Sequence, residues 1–377
     1  MRLAAFFSHP IQYYGPLFKR LAARSELELM VFFCSDVGVR EGVDPGFGVS
    51  FKWDIPLLEG YRHEFLRHPL REIPQALDRH RFDVLWVSGC TDPWAWRLFL
   101  AAFRRRLPVL LFGDSHLLNA KPWPKRLIKR LLYGTLFPRL AGALYVGRAN
   151  RAFFEHYGIR RNRLFLAPHC VNNEFFRARA EALHDQRDAI RARFHLPAAC
   201  PVILFCGKLI PKKQPLLLLE AYRPVRRHME CALLFAGDGE LRGEIERRVV
   251  AGSIPDVRIT GFLNQTEIPQ AYAAADLLVL PSAWDETWGL VINEAMNFGL
   301  PIIATDKVGA AHDLVREGEN GFVVPSGDAT TLATRIGELV RDAPRRGAMG
   351  ARSAEIIQSW DYDAFIAGVL AACKTVA

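Results

Sequence analysis

The chain has 377 residues, 50% of them hydrophobic and 24% charged, with a formal net charge of +9. That length exceeds one ordinary core, so two domains are expected, and the composition excludes a disordered or collagen-like chain. No apolar run reaches the roughly 18 residues of a membrane-spanning helix. The seven cysteines are an odd number with no C-x-x-C pair, which reads as buried thiols in a reducing compartment and excludes a disulfide frame.

In chain order, "RLAAFF" reads as a first strand, followed by a helix from Pro16. His9, Pro10 and Gln12 interrupt the opening before a signal-peptide core could form, so a cytoplasmic location is expected. "LELMVFF", "FDVLWV", "LPVLLF" and "GALYV" read as further strands, with a helix through "WAWRLFLAAF". Buried runs alternating with helices predict parallel βα units. The Arg-rich stretch at about 172–198 has no strand signal and reads as linker plus helix. The pattern then restarts with "PVILFC", "CALLFAG", "VRIT", "DLLVLP" and "PIIAT". The expected architecture is two Rossmann-like, doubly wound domains, 1–170 and 199–359, with a linker at 171–198. In such sheets ligands bind at the carboxyl ends of strands.

Charge is uneven. Residues 1–180 carry 28 Lys+Arg against 15 Asp+Glu, and the remaining 197 carry 21 against 25. A first half with an excess of 13 positive charges is suited to an anionic surface or ligand. Within it, residues 121–145 combine Lys125, Arg126, Lys129 and Arg130 with Trp123, Leu127, Leu131 and Leu132. Two readings stand: a basic amphipathic stretch on an anionic membrane surface, or a helix packed on the sheet with one basic solvent face.

Three strand ends in the second half carry chemistry. "FCGKLIPKK" puts Gly207, Lys208 and Lys213 on one short loop, and two ammonium groups there suit a diphosphate. "FAGDGE" is a tight turn before a helix. "PSAWDETWGLVINEAMNFGLPII" reads as a loop, then a helix from Gly289, with Glu286 before its N-terminus and Glu294 in its second turn. Amides at a helix N-terminus favour an anion, which an adjacent glutamate would repel unless it serves hydroxyl groups.

These motifs, in this order, resemble the retaining glycosyltransferases of family 4, which have the GT-B fold. The glutamates match that family's E-x7-E signature. Lys208 stands where the family usually has Arg, Lys213 matches its following Lys, and "VGAAHDLVREGENGFVVPSGD" continues the likeness, which covers about 168–360. "APHCVNNEFF" is similar to the family's hinge segment, with Asn172 in place of the usual Asp. The first half matches more loosely: "SHPIQYYGPLFKRLA" offers one glycine, Gly15, where many relatives have two near the diphosphate. His116 stands where the family has a histidine facing the transferred sugar.

The resemblance implies a GT-B pair of domains facing across a cleft, with a C-terminal helix at about 360–377 returning to the first domain. It implies transfer of a sugar, with retention, from a nucleotide-diphosphate donor, a UDP- or GDP-sugar. Lys208, Lys213 and the amides of Gly289 and Leu290 would hold the diphosphate. Glu286 and His116 would contact the sugar, Glu294 the ribose, and Phe262 and Leu263 the base. The acceptor is expected to be a glycan or lipid-linked, and the enzyme peripheral at the inner face of the membrane. No metal or other cofactor is expected; "DYD" at 361–363 is formally a D-x-D but falls in the returning helix. Other readings are an epimerase or hydrolase acting on sugar nucleotides, or a non-catalytic nucleotide- or polyanion-binding protein. Nucleic acid is not an expected partner, since no reading helix or stacking platform accompanies the basic patch. The absence of G-x-G-x-x-G after the first strand argues against a dehydrogenase.

Overall fold

The computed structural model describes residues 1–44, 48–119 and 122–377. The chain divides into two compact units. One comprises Met1–Gly42, Ile55–His169 and Asp361–Ala377; the other comprises Val43–Asp54 and Cys170–Trp360.

The strands in chain order are β1 (Arg2–Phe7), β2 (Glu28–Phe33), β3 (Gly42–Asp44), β4 (Val49–Phe51), β5 (Arg62–Phe65), β6 (Val84–Ser88), β7 (Val109–Gly113), β8 (Gly142–Tyr145) and β9 (Leu164–Leu166). Seven of these form the first sheet, in the order β5-β2-β1-β6-β7-β8-β9, with every pairing parallel. The pair β3-β4 stands apart as a ribbon. The central strands are apolar on both faces: Leu3 through Phe6 and Val84 through Val87 are fully buried. That is what helices on both sides of a parallel sheet demand. Trp86 lies at the centre of one aromatic layer, 5.2 Å from Phe7 and 5.8 Å from Phe112 between ring centroids.

The C-terminal helix Tyr362–Val376 belongs to this first unit, although the chain reaches it from the second. Phe365 enters the aromatic layer 5.8 Å from Trp86. Gly368 lets the helix settle against the carbonyl of Leu166, in space that a Cβ would occupy.

The second unit continues with β10 (Val202–Cys206), β11 (Ala232–Ala236), β12 (Val257–Gly261), β13 (Leu277–Leu280), β14 (Ile302–Thr305) and β15 (Gly321–Val324). Their order is β12-β11-β10-β13-β14-β15, again all parallel. The segment read as a linker forms two helices, Asn173–Leu183 and Arg187–Arg193, both within this unit. Asn172 caps the first of them, accepting the Phe175 amide at 3.2 Å, which is the service an aspartate would give. Arg191 anchors the second through the Asp276 carboxylate at 2.7 Å, just ahead of β13.

Candidate active site

In the second sheet the strand order reverses between β10 and β13. In a doubly wound sheet the connections from two such strands leave in opposite directions and open a crevice at their carboxyl ends. The loops that leave there are the two carrying Lys208, Lys213 and Glu286. A one-turn 3-10 helix, Pro211–Lys213, folds the first loop back, and Gln214 takes the left-handed conformation at its end. The Lys212 carbonyl then accepts the Ala283 amide at 2.9 Å, tying the two loops together.

The consequence is an ion pair between Lys213 and Glu286, with the two side chains 15% and 9% exposed. Ser282 donates its hydroxyl to the same carboxylate at 2.9 Å. Burial alone would raise the Glu286 pKa. The Lys213 charge and hydrogen bond, with Lys212 and Ser282, outweigh burial and hold it below the ordinary glutamate value. Glu286 is therefore a carboxylate, an acceptor for hydroxyl groups, near neutral pH.

The loop after β13 is clamped from the far side by the turn after β14. Gly309 donates to the Glu286 carbonyl at 3.0 Å and Ala310 to that of Trp288 at 2.9 Å. A Cβ on Gly309 would collide with the Thr287 carbonyl. Gly289, with φ of 97°, turns the chain into the helix Val291–Met296. This helix begins two residues later than the periodicity predicts and places Glu294 in its first turn, because the turn needs a left-handed residue at 289. Among the described residues no acceptor takes the amides of Gly289, Leu290 or Val291.

Glu294 is 3% exposed and accepts the Tyr272 hydroxyl at 2.5 Å; the Cys206 sulfur lies 3.3 Å from the same hydroxyl. Burial, reinforced by the charges of Cys206 and Glu294, pushes the Tyr272 pKa well up, so the phenol stays a donor. The Cys206 thiol is likewise pushed up to about 12, first by burial and then by Glu294.

The β10 and β11 loops pack backbone on backbone. The Leu209 amide donates to the Asp238 carbonyl at 2.8 Å. A Cβ on Gly237 would meet the Gly207 carbonyl, and one on Gly239 the Leu209 backbone. Gly207 has φ of 139° and open space beside it, with only the Lys213 Cε at 4.0 Å. Asp238 is engaged locally, by the Gly239 amide and the Arg242 guanidinium, both at 2.8 Å.

Phe262 and Leu263 follow β12. Residues 48–54 pack against them: Phe51 lies 4.6 Å from Phe262 between ring centroids. Asn264 donates to the Lys52 carbonyl at 2.7 Å, and Thr266 bonds the Asp54 carboxylate through its amide and hydroxyl. This arm, pattern-free in the sequence, is part of the second unit.

Gly15 and His116 lie in the first unit. Gly15 is the second residue of the helix Tyr14–Ala22, and its missing side chain admits the Leu57 backbone, whose carbonyl is 2.7 Å from where a Cβ would be. Its smallness thus serves an approach within the chain. His116 accepts the Leu118 amide on Nδ1 at 3.3 Å, which leaves the proton of a neutral ring on Nε2. Asp361 caps the C-terminal helix by accepting the Ala364 amide at 2.8 Å, and Asp363 bonds Arg24 at 3.0 Å. Both carboxylates of "DYD" thus have structural partners. Among the described residues no group of three His, Cys, Asp or Glu side chains has a metal-holding arrangement, and no helix is long and apolar enough to cross a membrane.

A family model for glycosyl transferases group 1 matches residues 186–355, the part that holds Lys208, Lys213, Glu286 and Glu294. A D-inositol 3-phosphate glycosyltransferase of Nocardia farcinica is 31% identical over 335 residues, covering 84% of this chain and 69% of that protein. The chain belongs to the glycosyl transferases group 1. A second relative, the alpha-D-kanosaminyltransferase of Streptomyces kanamyceticus, is 31% identical over 188 residues, 49% of this chain and 47% of that one. The match thus spans about half or less of several curated relatives. The fold is shared with Anabaena HepE, solved in complex with UDP and glucose, at a TM-score of 0.75 and 19% identity over the full length of both chains. The two parallel sheets described above are the two Rossmann-like halves of this GT-B fold.

In this group 1 chain, the structure brings together Lys213 and Glu286 and seats Glu294 behind them on Tyr272. Three contributors escaped the sequence reading. Ser282 was visible as a polar residue at a strand end. Gly309 lay within a matched motif. Tyr272, in the helix Ile268–Ala274, carried no signal, since its spacing is that of an ordinary core residue.

Proposed function

We propose that this protein is a retaining, metal-independent glycosyltransferase of family 4 that moves a sugar from a nucleotide-diphosphate donor, a UDP- or GDP-sugar, to a glycan or lipid-linked acceptor. The observation that carries this reading is the Lys213–Glu286 pair at the order reversal of the second sheet. A buried cation there, beside the open approach at Gly207, supplies fixed positive charge for a diphosphate leaving group. Preorganised charge of this kind is the largest usual contribution to such catalysis. Lys208 and the amides of Gly289 and Leu290 add to it in the same reading.

Glu286, kept ionised by Lys213, accepts hydroxyl hydrogens of the transferred sugar. Glu294 is assigned to the ribose, Phe262 and Leu263 to the base, and His116 to the sugar. Attack from the face of the departing phosphate retains configuration and lets a phosphate oxygen take the acceptor proton. No carboxylate nucleophile is required. The family 4 assignment, the peripheral membrane location and the inner-face orientation belong to this proposal. Similarity to a D-inositol 3-phosphate glycosyltransferase and to an alpha-D-kanosaminyltransferase supports sugar transfer.

The test is a thermal-shift screen of UDP-, GDP- and ADP-sugars, followed by transfer assays with and without EDTA and NMR of the product anomer. Stabilisation by one donor, EDTA-insensitive turnover and a retained anomeric configuration are expected. Product formed equally well without an acceptor would instead assign a hydrolase or epimerase.

A further inference from the structure

The helix Trp123–Leu136 buries only Tyr133 and Leu136. On its other side Trp123, Leu127, Ile128, Leu131 and Leu132 are exposed, Trp123 at 69% and Leu131 at 63%. At about 100° per residue these five positions share one outward arc opposite Tyr133, with Lys125 and Arg130 at its two margins and Arg126 beyond Arg130 on the Tyr133 side. The solvent side of this helix thus carries an apolar arc together with the exposed Lys125, Arg126 and Arg130. Of the basic stretch, Lys121 lies outside the described residues.

Beneath one margin is a cavity of about 620 Å³, lined by Arg126, Lys129, Arg130 and His156 on its polar side and by Trp123 and Leu127 among its apolar walls. No carboxylate lines it, and among the described residues none of the three cations has a carboxylate partner. Lys129 instead lies 5.8 Å from the Tyr133 ring centre. Asn119 also lines the cavity, and its buried Nδ2 has no hydrogen-bond partner among the described residues. Three cations and an unclaimed amide beside apolar walls select an anion attached to an apolar chain. Trp123 and Leu127 belong both to these walls and to the outward arc, so the chain would run from the cavity onto the apolar face. His116 lines the same cavity.

We propose that this cavity holds the phosphate of a lipid-linked acceptor, presented at an anionic bilayer on which the apolar arc of the Trp123–Leu136 helix rests. The acceptor role depends on the glycosyltransferase reading; the phosphate-lipid site does not. An apolar stripe with flanking cations is the arrangement that lies at a membrane interface, where basic residues near the surface are drawn to anionic lipid.

The test is co-sedimentation of the full chain with vesicles of phosphatidylcholine alone, with added phosphatidylglycerol, or with added farnesyl phosphate, in the presence and absence of inorganic phosphate. The wild type should bind both anionic vesicles and prefer farnesyl phosphate. Arg126→Gln with Arg130→Gln should weaken the farnesyl phosphate arm by roughly tenfold or more. Leu131→Asp, at an exposed position, should reduce binding to every vesicle. UDP or GDP affinity, measured by calorimetry on the same preparations, should be unchanged and reports on folding. Binding indifferent to farnesyl phosphate, or equal binding by the double variant, would overturn the site. So would displacement by inorganic phosphate at concentrations matching the lipid, which would mark a free-anion site. If neither nucleotide binds while the vesicle results hold, the donor reading fails and the lipid site stands.

Discussion

The ammonium of Lys213 and the carboxylate of Glu286 come from loops after different strands, β10 and β13, and meet as a buried ion pair reinforced by Ser282. Each charge makes the other's burial tolerable, and together they fill the place where the sheet order reverses.

Removing one member should therefore do more than remove a contact. Lys213→Ala strands a buried carboxylate, and breaking such a pair costs about 3–5 kcal/mol. Its turnover should fall by about 100-fold or more if the lysine offsets leaving-group charge. The double variant Lys213→Met with Glu286→Leu should recover much of the stability and none of the activity. Denaturant melts and initial rates separate the two effects. Unchanged kinetics in Lys213→Ala would remove the lysine from the mechanism.

Tyr272→Phe deletes the hydroxyl that Glu294 accepts at 2.5 Å and leaves a buried carboxylate short of a donor. A loss of about 1–3 kcal/mol is expected. Because Glu294 is assigned to the ribose, the donor KM should rise while kcat changes little, and Glu294→Ala should act the same way more strongly. A fall in kcat with constant KM would shift Glu294 from donor binding to the chemical step.

Gly237→Ala introduces a Cβ into the Gly207 carbonyl at a φ of 155°, forcing the β11 loop away from the β10 loop that presents Lys208 and Lys213. A destabilisation of about 2 kcal/mol or more follows from the clash and the backbone conformation together. Donor affinity should drop as well. A Gly237→Ala protein with wild-type melting and nucleotide binding would refute the packing argument.

Stability should fall with acidification because two buried groups, His169 and Glu286, have lowered pKa values. His169 is buried between Tyr14 and Phe112, and burial lowers its pKa to about 4 against a smaller opposing pull from Asp114. Between about 6.5 and that value the unfolded chain binds a proton that the folded chain does not, so stability declines as pH falls through this window. Glu286 is also lowered, and its contribution, present above the ordinary carboxylate pKa of about 4.3, is lost as pH falls through its folded value. Melting temperature should be level above pH 7 and decline from about pH 6.5; His169→Phe should flatten the first part of that decline. A melting temperature constant from pH 7 to 5 would contradict the assignment.

The sequence by itself determined two sets of parallel βα units and the succession of their main strands along the chain, while their order within each sheet came from the structure. Uninterrupted apolar runs such as "VLLF" and "VILFC" can only be buried on both faces, and each is separated from the next by helix-forming chain. It also marked Lys208, Lys213, Glu286 and Glu294, because polar residues at strand ends interrupt otherwise apolar patterns. Short or weakly patterned elements were not legible: β5, β9 and β15 have four residues or fewer, and the Val43–Asp54 arm is fixed by contacts with residues more than two hundred positions away. Only the tertiary structure decided what each polar group faces. Tyr272 has the spacing of a core residue and becomes Glu294's donor because the Ile268–Ala274 helix packs beside β10. Gly15 makes room for the Leu57 backbone, a close approach that no local pattern announces. The Trp123–Leu136 helix turned its apolar arc outward because its inner face had only Tyr133 and Leu136 to bury. Periodicity fixes which side chains share a face, but the direction of that face depends on which neighbours are there to cover it.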